Sequence, residues 1–277
     1  MLIDTHCHIN MMVKKEFDVA LTASDIQSAA VIIEQARSNY VLHIINVGTN
    51  FIESKNCVAL AQTYNACFAT IGIHPNDCTS TWHDDLKAMR SLWFNKNKNK
   101  THNDYNIVGI GECGIDRHYS GYNLQRQKDA FKAQIELALE FDLALSVHSR
   151  DAADETLYSL DEFRKEKLRG VIHCFSEDQT FADEAIALGM VLGIGGTITY
   201  PKNELLRNVV KAIPLKKIIL ETDAPFLPPQ SIRGKQNSPA QIATIAQYLG
   251  ELKSIEAFSI AQQTTETAKK VFGLNVS

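Results

Sequence analysis

Two histidines stand one residue apart almost at the start of the chain, in LIDTHCHI (residues 2–9). Leu2, Ile3, Thr5, Cys7 and Ile9 are apolar or β-prone, so this stretch reads as a short strand. Alternation along a strand puts His6 and His8 on one face, with Asp4 behind them. Two imidazoles so placed can grip one divalent metal ion. The same pair would also suit a polar edge strand whose histidines face solvent, so the remaining ionisable residues must decide.

Those residues sit in a recurring frame. Short β-rich runs occur at 2–8, 42–48, 68–74, 107–113, 143–148, 170–175, 191–196 and 217–223. Helical stretches such as 24–39, 123–142 and 183–189 lie between them, and 238–251 and 254–271 follow the last. In 123–142, Leu124, Phe131, Ile135, Leu139 and Phe141 fall at approximately helical spacing. Eight strand–helix alternations predict an α/β fold, a single parallel (β/α)8 (TIM) barrel. At 277 residues the chain is close to the roughly 250 residues of such a barrel, and no repeat or linker divides it. We therefore read 1–277 as one domain. The polar, locally basic run NKNKNKTHNDYN (95–106) reads as a solvated loop before the fourth strand.

In such a barrel the carboxyl ends of the strands converge on one mouth. The proposed strands deliver His6 and His8, His74, Glu112, His148, His173 and Asp223 to those ends. Any one of them could be a satisfied core residue. Together, His6, His8, His148 and His173 with Glu112 and Asp223 make a metal site with enough ligands for two ions. Imidazole and carboxylate without thiolate suit Zn, Mn, Ni or Fe and, with more oxygen ligands, Mg. Two ions roughly 3.5–4 Å apart can activate water and clamp both oxygens of a displacement at phosphorus. Glu112 could bridge them, and Asp223 could bind one ion and take the proton of the attacking water.

Cys7, Cys113 and Cys174 each neighbour a candidate ligand. Alternation turns Cys7 and Cys174 toward the helices as small buried hydrophobes; Cys113 lies at a strand–loop junction. Arg150, two residues past His148, could hold a phosphate through its guanidinium. Arg233 and Lys235, in SIRGKQNSP (231–239), offer a basic turn near the mouth. Their alternative role is surface solvation or helix capping. His74 precedes Pro75 and reads as a substrate contact, with a metal ligand or core histidine as alternatives. The lone His43 reads as structural.

The six cysteines show no Cys-x-x-Cys pair and look like reduced thiols of a cytoplasmic protein. No apolar run of about 18 residues predicts a membrane span, and the start lacks the basic and apolar regions of a secretory signal. A net charge of −4 gives no overall basic footprint, which argues against wrapping a long nucleic acid but not against gripping one phosphodiester in a local pocket.

DTHCH (4–8), GIHP (72–75), GECGID (111–116), VHSR (147–150), HCFS (173–176), ETDAPFLPP (221–229) and RGKQNSP (233–239) resemble, in content and order, the motifs of the TatD family of metal-dependent deoxyribonucleases. The resemblance spans essentially the whole chain. It implies a barrel of the amidohydrolase-like group and metal-dependent 3′-to-5′ exonuclease action on DNA; with the ligand count above, two divalent ions (Mg, Mn, Zn or Ni) and a DNA substrate, single-stranded or at 3′ ends, are expected. It places the family's metal ligands on His6, His8, Glu112, His148, His173 and Asp223, and its phosphate contacts on His74 and Arg150. Cys113 and Arg117–His118 depart from the family's usual strand-four pattern, and Thr267 stands where an asparagine is common. A monomer without a membrane partner is expected. The competing reading is a carbonyl hydrolase, an aminoacyl-tRNA deacylase or amidase, because a bridging glutamate serves either chemistry and fold alone does not choose.

Overall fold

In the computed structural model, which describes residues 1–14, 16–93 and 106–276, eight parallel strands pair in chain order. They are β1 (Leu2–Cys7), β2 (Val41–Val47), β3 (Cys67–Ile71), β4 (Ile107–Asp116), β5 (Ala144–Arg150), β6 (Gly170–Ile172), β7 (Met190–Ile194) and β8 (Ile218–Leu220). The helices are α1 (Ile9–Met12), α2 (Ala23–Ser38), α3 (Phe51–Thr63), α4 (Trp82–Trp93), α5 (Leu124–Phe141), α6 (Ala153–Asp161), α7 (Gln179–Ala187), α8 (Glu204–Ala212), α9 (Ile242–Lys253) and α10 (Ala257–Phe272). This is the TIM barrel expected from the alternation. The expected loop 95–106 lies outside the described residues except for Asn106.

Short polar side chains start the helices by accepting amide protons left free in the first turn. Thr22 and Asp25 form a reciprocal capping box on α2, while Asn50, Asn123 and Asp178 cap α3, α5 and α7. One core layer lies between sheet and helices, where Phe131, Ile135, Leu60 and Ile71 are buried. A second fills the barrel, each strand contributing a residue: Ile3, Ile45, Phe68, Val108, Ala144, Val171, Val191 and Ile219. Val271 and Phe272 of α10 join this inner cluster.

Strand β1 is where alternation alone misleads. Ile3 belongs to the inner cluster, so a regular strand would turn His6 and His8 outward. Pairing with β2 slips between Asp4 (opposite Ile44) and Cys7 (opposite Asn46), three residues against two. This one-residue bulge reverses the inward face and brings both imidazoles to the mouth. Asp4 is therefore not behind them but faces β8.

That seam closes the barrel with few ladder bonds. The Thr222 amide and hydroxyl donate to Asp4 at 3.0 and 2.6 Å, and Thr5 Oγ1 donates to Leu220 O at 3.0 Å. At the top, the Asp223 amide donates to His6 O and the His8 amide to Ala224 O, at 2.9 and 2.8 Å. Asp4→Ala would orphan two buried donors of Thr222, costing about 2–6 kcal/mol at roughly 1–3 kcal/mol per unsatisfied group. Chemical denaturation is expected to show that loss; an unchanged midpoint would remove Asp4 from barrel closure.

Candidate metal centre

The inner faces of the strands change character toward their carboxyl ends. Above the apolar layer, Ala144 is followed by Ser146 and His148, Val171 by His173, Val191 by Gly193, and Ile219 by Glu221 and Asp223. Several of these lie past the regular strand. His173 is one residue beyond β6, and His74 and Asp223 are three beyond β3 and β8, so those strands are shorter than the sequence pattern suggested. Individual backbone bonds hold the extensions: the His173 amide donates to Val147 O (2.9 Å) and the His74 amide to Thr49 O (2.7 Å).

Glu112, only 4% exposed, sits at the centre with each oxygen facing a different group. Oε2 lies 3.4 Å from His6 Nε2 and 3.9 Å from His8 Nε2. The two imidazole nitrogens are 3.3 Å apart, and Asp223 Oδ1 lies 3.8 and 3.3 Å from them. Oε1 lies 2.8 Å from His148 Nδ1, 3.3 Å from His173 Nε2 and 3.5 Å from His74 Nε2. The structure thus brings together all six candidate ligands, with His74 beside them. Most of these residues line a cavity of ≈ 320 Å³; His6 is not among the lining residues.

The donor set fits metal ions. Ligands about 2.0–2.1 Å from a tetrahedral ion stand about 3.3–3.4 Å apart, close to the spacing around His6, His8, Glu112 and Asp223. Among the described residues, the sets His6–His8–Glu112 and Glu112–His148–His173 each converge closely enough to hold an ion. The outer ring nitrogens are anchored so that the inner ones face the centre. His8 Nδ1–H donates to Val47 O at 2.9 Å, His6 Nδ1 hydrogen-bonds Ser146 Oγ at 3.2 Å, and His173 Nδ1 lies 3.2 Å from Glu221 Oε1.

Burial would raise the pKa of Glu112, but His74, His173 and His148 hold it well below the usual carboxylate range. Burial likewise opposes ionisation of Asp223, and His8, His173 and His6 bring its pKa down. Both are carboxylates at neutral pH. Burial lowers His74 to about 3, so its ring is neutral. Its Nδ1 accepts from the Asn76 amide at 3.1 Å, which leaves Nε2–H as a donor toward the site.

Three supporting residues escaped the sequence reading. Glu221 sits two positions before Asp223, and Asp116 four positions after Glu112; period-two counting could have found both. Asp116 Oδ2 lies 3.1 Å from His148 Nε2 and accepts from Asn76 Nδ2 at 3.1 Å. Ser146, on His6, carried no signal beyond lying two residues before His148. Cys174 is corrected: it lies beyond β6 with φ 47°, so strand alternation does not govern it. It is half-buried near the carboxylates; burial foremost, then Asp223, Glu221 and Glu112 against His173, push its thiol up to about 12. Among the described residues no cysteine enters the metal-type clusters; Cys7 and Cys113 are buried, their thiols toward Ala224 O and Ser146 O.

Arg150, Arg233 and Lys235 do not line the cavity. Arg150 lies over the Tyr119 ring at 5.4 Å and Arg233 over Tyr200 at 4.4 Å, while Lys235 is exposed. His43, on β2, packs 5.8 Å from the Phe68 ring, away from the mouth cavity.

Gly193 makes room for this shell. A Cβ there would come within 2.2 Å of Glu221 Oε2, and Glu221 is fixed from its other oxygen by the Cys174 amide at 2.5 Å. Gly193→Ala should therefore displace Glu221 from His173 and weaken divalent-metal binding about 10–100-fold with the circular dichroism spectrum retained. Unaltered affinity in a metal titration would show that Glu221 does not position His173.

Known proteins resemble this chain along nearly its whole length. The TatD related DNase family matches residues 3–273. The uncharacterized metal-dependent hydrolase YabD of Bacillus subtilis (strain 168) is 32% identical over 275 residues, 99% of this chain and 100% of its own. The 3′-5′ ssDNA/RNA exonuclease TatD of Pectobacterium atrosepticum is 31% identical over 94% of this chain and 99% of its own. The crystal structure of the TatD homologue YJJV from Escherichia coli K12 superposes with a TM-score of 0.86 at 28% identity, covering 99% and 98% of the two chains. With the barrel, the mouth and the ordered motifs all in agreement, the chain belongs to the TatD-related DNase family of metal-dependent hydrolases.

Proposed function

We propose that the protein is a phosphodiester hydrolase that removes nucleotides from the 3′ end of DNA, working with two divalent ions held by His6, His8, Glu112, His148, His173 and Asp223. The observation that carries this reading is Glu112, whose two oxygens face two separate imidazole sets. The relatives named 3′-5′ ssDNA/RNA exonuclease supply the substrate class. We take residues 1–277 as one catalytic domain, and the oxygen- and nitrogen-rich donor set suits Mg, Mn, Zn or Ni. Six cysteines without disulfides support a cytoplasmic location. No described helix is long and apolar enough to cross a membrane, and no feature requires a second copy, so a monomer is proposed.

Bound ions would acidify a water and draw charge from the phosphate oxygens. Asp223, ionised and at the rim of the cavity, accepts the proton of the attacking water. The new bond forms at phosphorus as the P–O3′ bond breaks. Glu112, buried and anionic, holds the two imidazole sets in register. His74 offers a neutral N–H to a phosphate oxygen, which keeps that contact independent of pH near neutrality. Arg150, over the Tyr119 ring, would meet the next phosphate, and Arg233 and Lys235 would add basic charge outside the cavity lining.

Stripping with EDTA should abolish shortening of a 5′-labelled single-stranded oligonucleotide, and one of Mg, Mn, Zn or Ni should restore it. Asp223→Asn should lower kcat by about 10²–10⁴-fold, the usual contribution of a general base. Full activity in that variant would remove Asp223 as the base. No cleavage with any metal by protein that still binds ions would turn the assignment to a carbonyl hydrolase acting on aminoacyl-tRNA or small amides.

A further inference from the structure

A second cavity, of ≈ 600 Å³, adjoins the mouth. A chain of three side chains links the two: Asn76 lines the second cavity and donates to Asp116, which in turn contacts His148 of the mouth. The loop between β4 and α5 forms the far wall with Tyr119 and Tyr122. These residues are 56% and 40% exposed, and Tyr122 is held at its hydroxyl, which accepts from Arg117 Nε at 3.4 Å. Arg150 lies over Tyr119 at 5.4 Å and the His118 ring meets it in a T-shaped contact at 5.1 Å, contacts that orient a ring which still keeps more than half its surface in solvent.

Charge separates the two cavities. Asp18, Glu53 and Asp77 line the mouth beside the metal-type ligands. Among the described residues, no carboxylate lines the second cavity. Arg126 lines it instead, half-buried, with one guanidinium nitrogen 3.4 Å from Cys78 O. Arginine carries five N–H donors, so this single contact fixes the group while leaving most donors for a ligand. Asn76, Ser120 and Asn123 add neutral polar groups.

Exposed aromatic faces next to a guanidinium, in a pocket free of negative charge, are what a single-stranded nucleic acid needs: a stacking surface for a base and a partner for the phosphate behind it. We propose that this cavity is the subsite for an unpaired base immediately upstream of the scissile phosphate, with Tyr119 and Tyr122 as the stacking platform and Arg126 on the backbone. The proposal rests on the nuclease reading. A base within a duplex is already stacked on both faces and paired along its edge, so it cannot enter; the platform therefore selects single strands.

Steady-state cleavage of a 5′-labelled, single-stranded oligonucleotide by the metal-loaded full-length protein tests it, with a matched substrate carrying one abasic site next to the terminal nucleotide. Tyr119→Ala/Tyr122→Ala should raise KM for the intact oligonucleotide about 5- to 150-fold, since stacking contributes about 1–3 kcal/mol per base. The abasic substrate should show a similar rise with wild-type protein and little further rise with the double variant, because both changes remove one interaction. Tyr119→Trp/Tyr122→Trp should restore a KM near wild type. An unchanged KM in the alanine variant, or additive losses with the abasic substrate, would overturn the platform while leaving the nuclease assignment standing. Wild-type protein that hydrolyses bis(p-nitrophenyl) phosphate but no oligonucleotide would overturn both.

Discussion

A carboxylate buried at the centre of five histidines is the constraint on which this molecule turns. Glu112 is almost wholly removed from solvent, a costly place for a negative charge unless cations or strong donors surround it. The surroundings come from strands or strand extensions at β1, β3, β5 and β6, with Asp223 after β8 as a second anion on one side. No helix or loop of the chain could assemble these groups by itself. The barrel's parallel strands, all ending at one rim, bring a nitrogen of each of the five imidazoles within 4 Å of Glu112.

The shell around that centre follows from the same constraint. Imidazoles crowded together must each be held by the nitrogen that faces away, and the partners differ with the space available: a backbone carbonyl for His8, a hydroxyl for His6, carboxylates for His173 and His148. Glu221 can reach into the barrel because Gly193 opposite it has no side chain. The β1 bulge and the Asp4–Thr222 seam serve the first strand in a similar way, since without the bulge His6 and His8 would point among the helices. The geometry of the mouth and the closure of the barrel are thus set by the same few residues between β1 and β8.

Much of this was legible in the amino-acid order. Alternating β-rich and helical runs, each ending in a histidine or carboxylate, were enough for the barrel and for bringing His6, His8, Glu112, His148, His173 and Asp223 to one rim. What escaped had physical causes. Strict alternation did not anticipate the bulge, because register is set by pairing with β2 and not by β1 alone; it therefore misplaced Asp4. Alternation puts Cys174 on the helix side only if β6 continues through it, whereas β6 ends at Ile172 and Cys174 has φ 47°. Glu221 and Asp116 were passed over as neighbours of stronger candidates although both obey the period-two rule. Arg233 and Lys235 follow the last strand closely in sequence, yet their loop carries them outside the cavity lining, and sequence distance gave no hint of that.

Whether Glu112 joins two metal positions decides the proposed chemistry. Crystals soaked in Mn and measured for anomalous scattering would read this without reference to activity. Two peaks roughly 3.5–4 Å apart, one contacted by Glu112 Oε2 with His6 and His8 and the other by Oε1 with His148 and His173, are the expected result. A single peak at saturating Mn, or two peaks of which Glu112 touches only one, would contradict it.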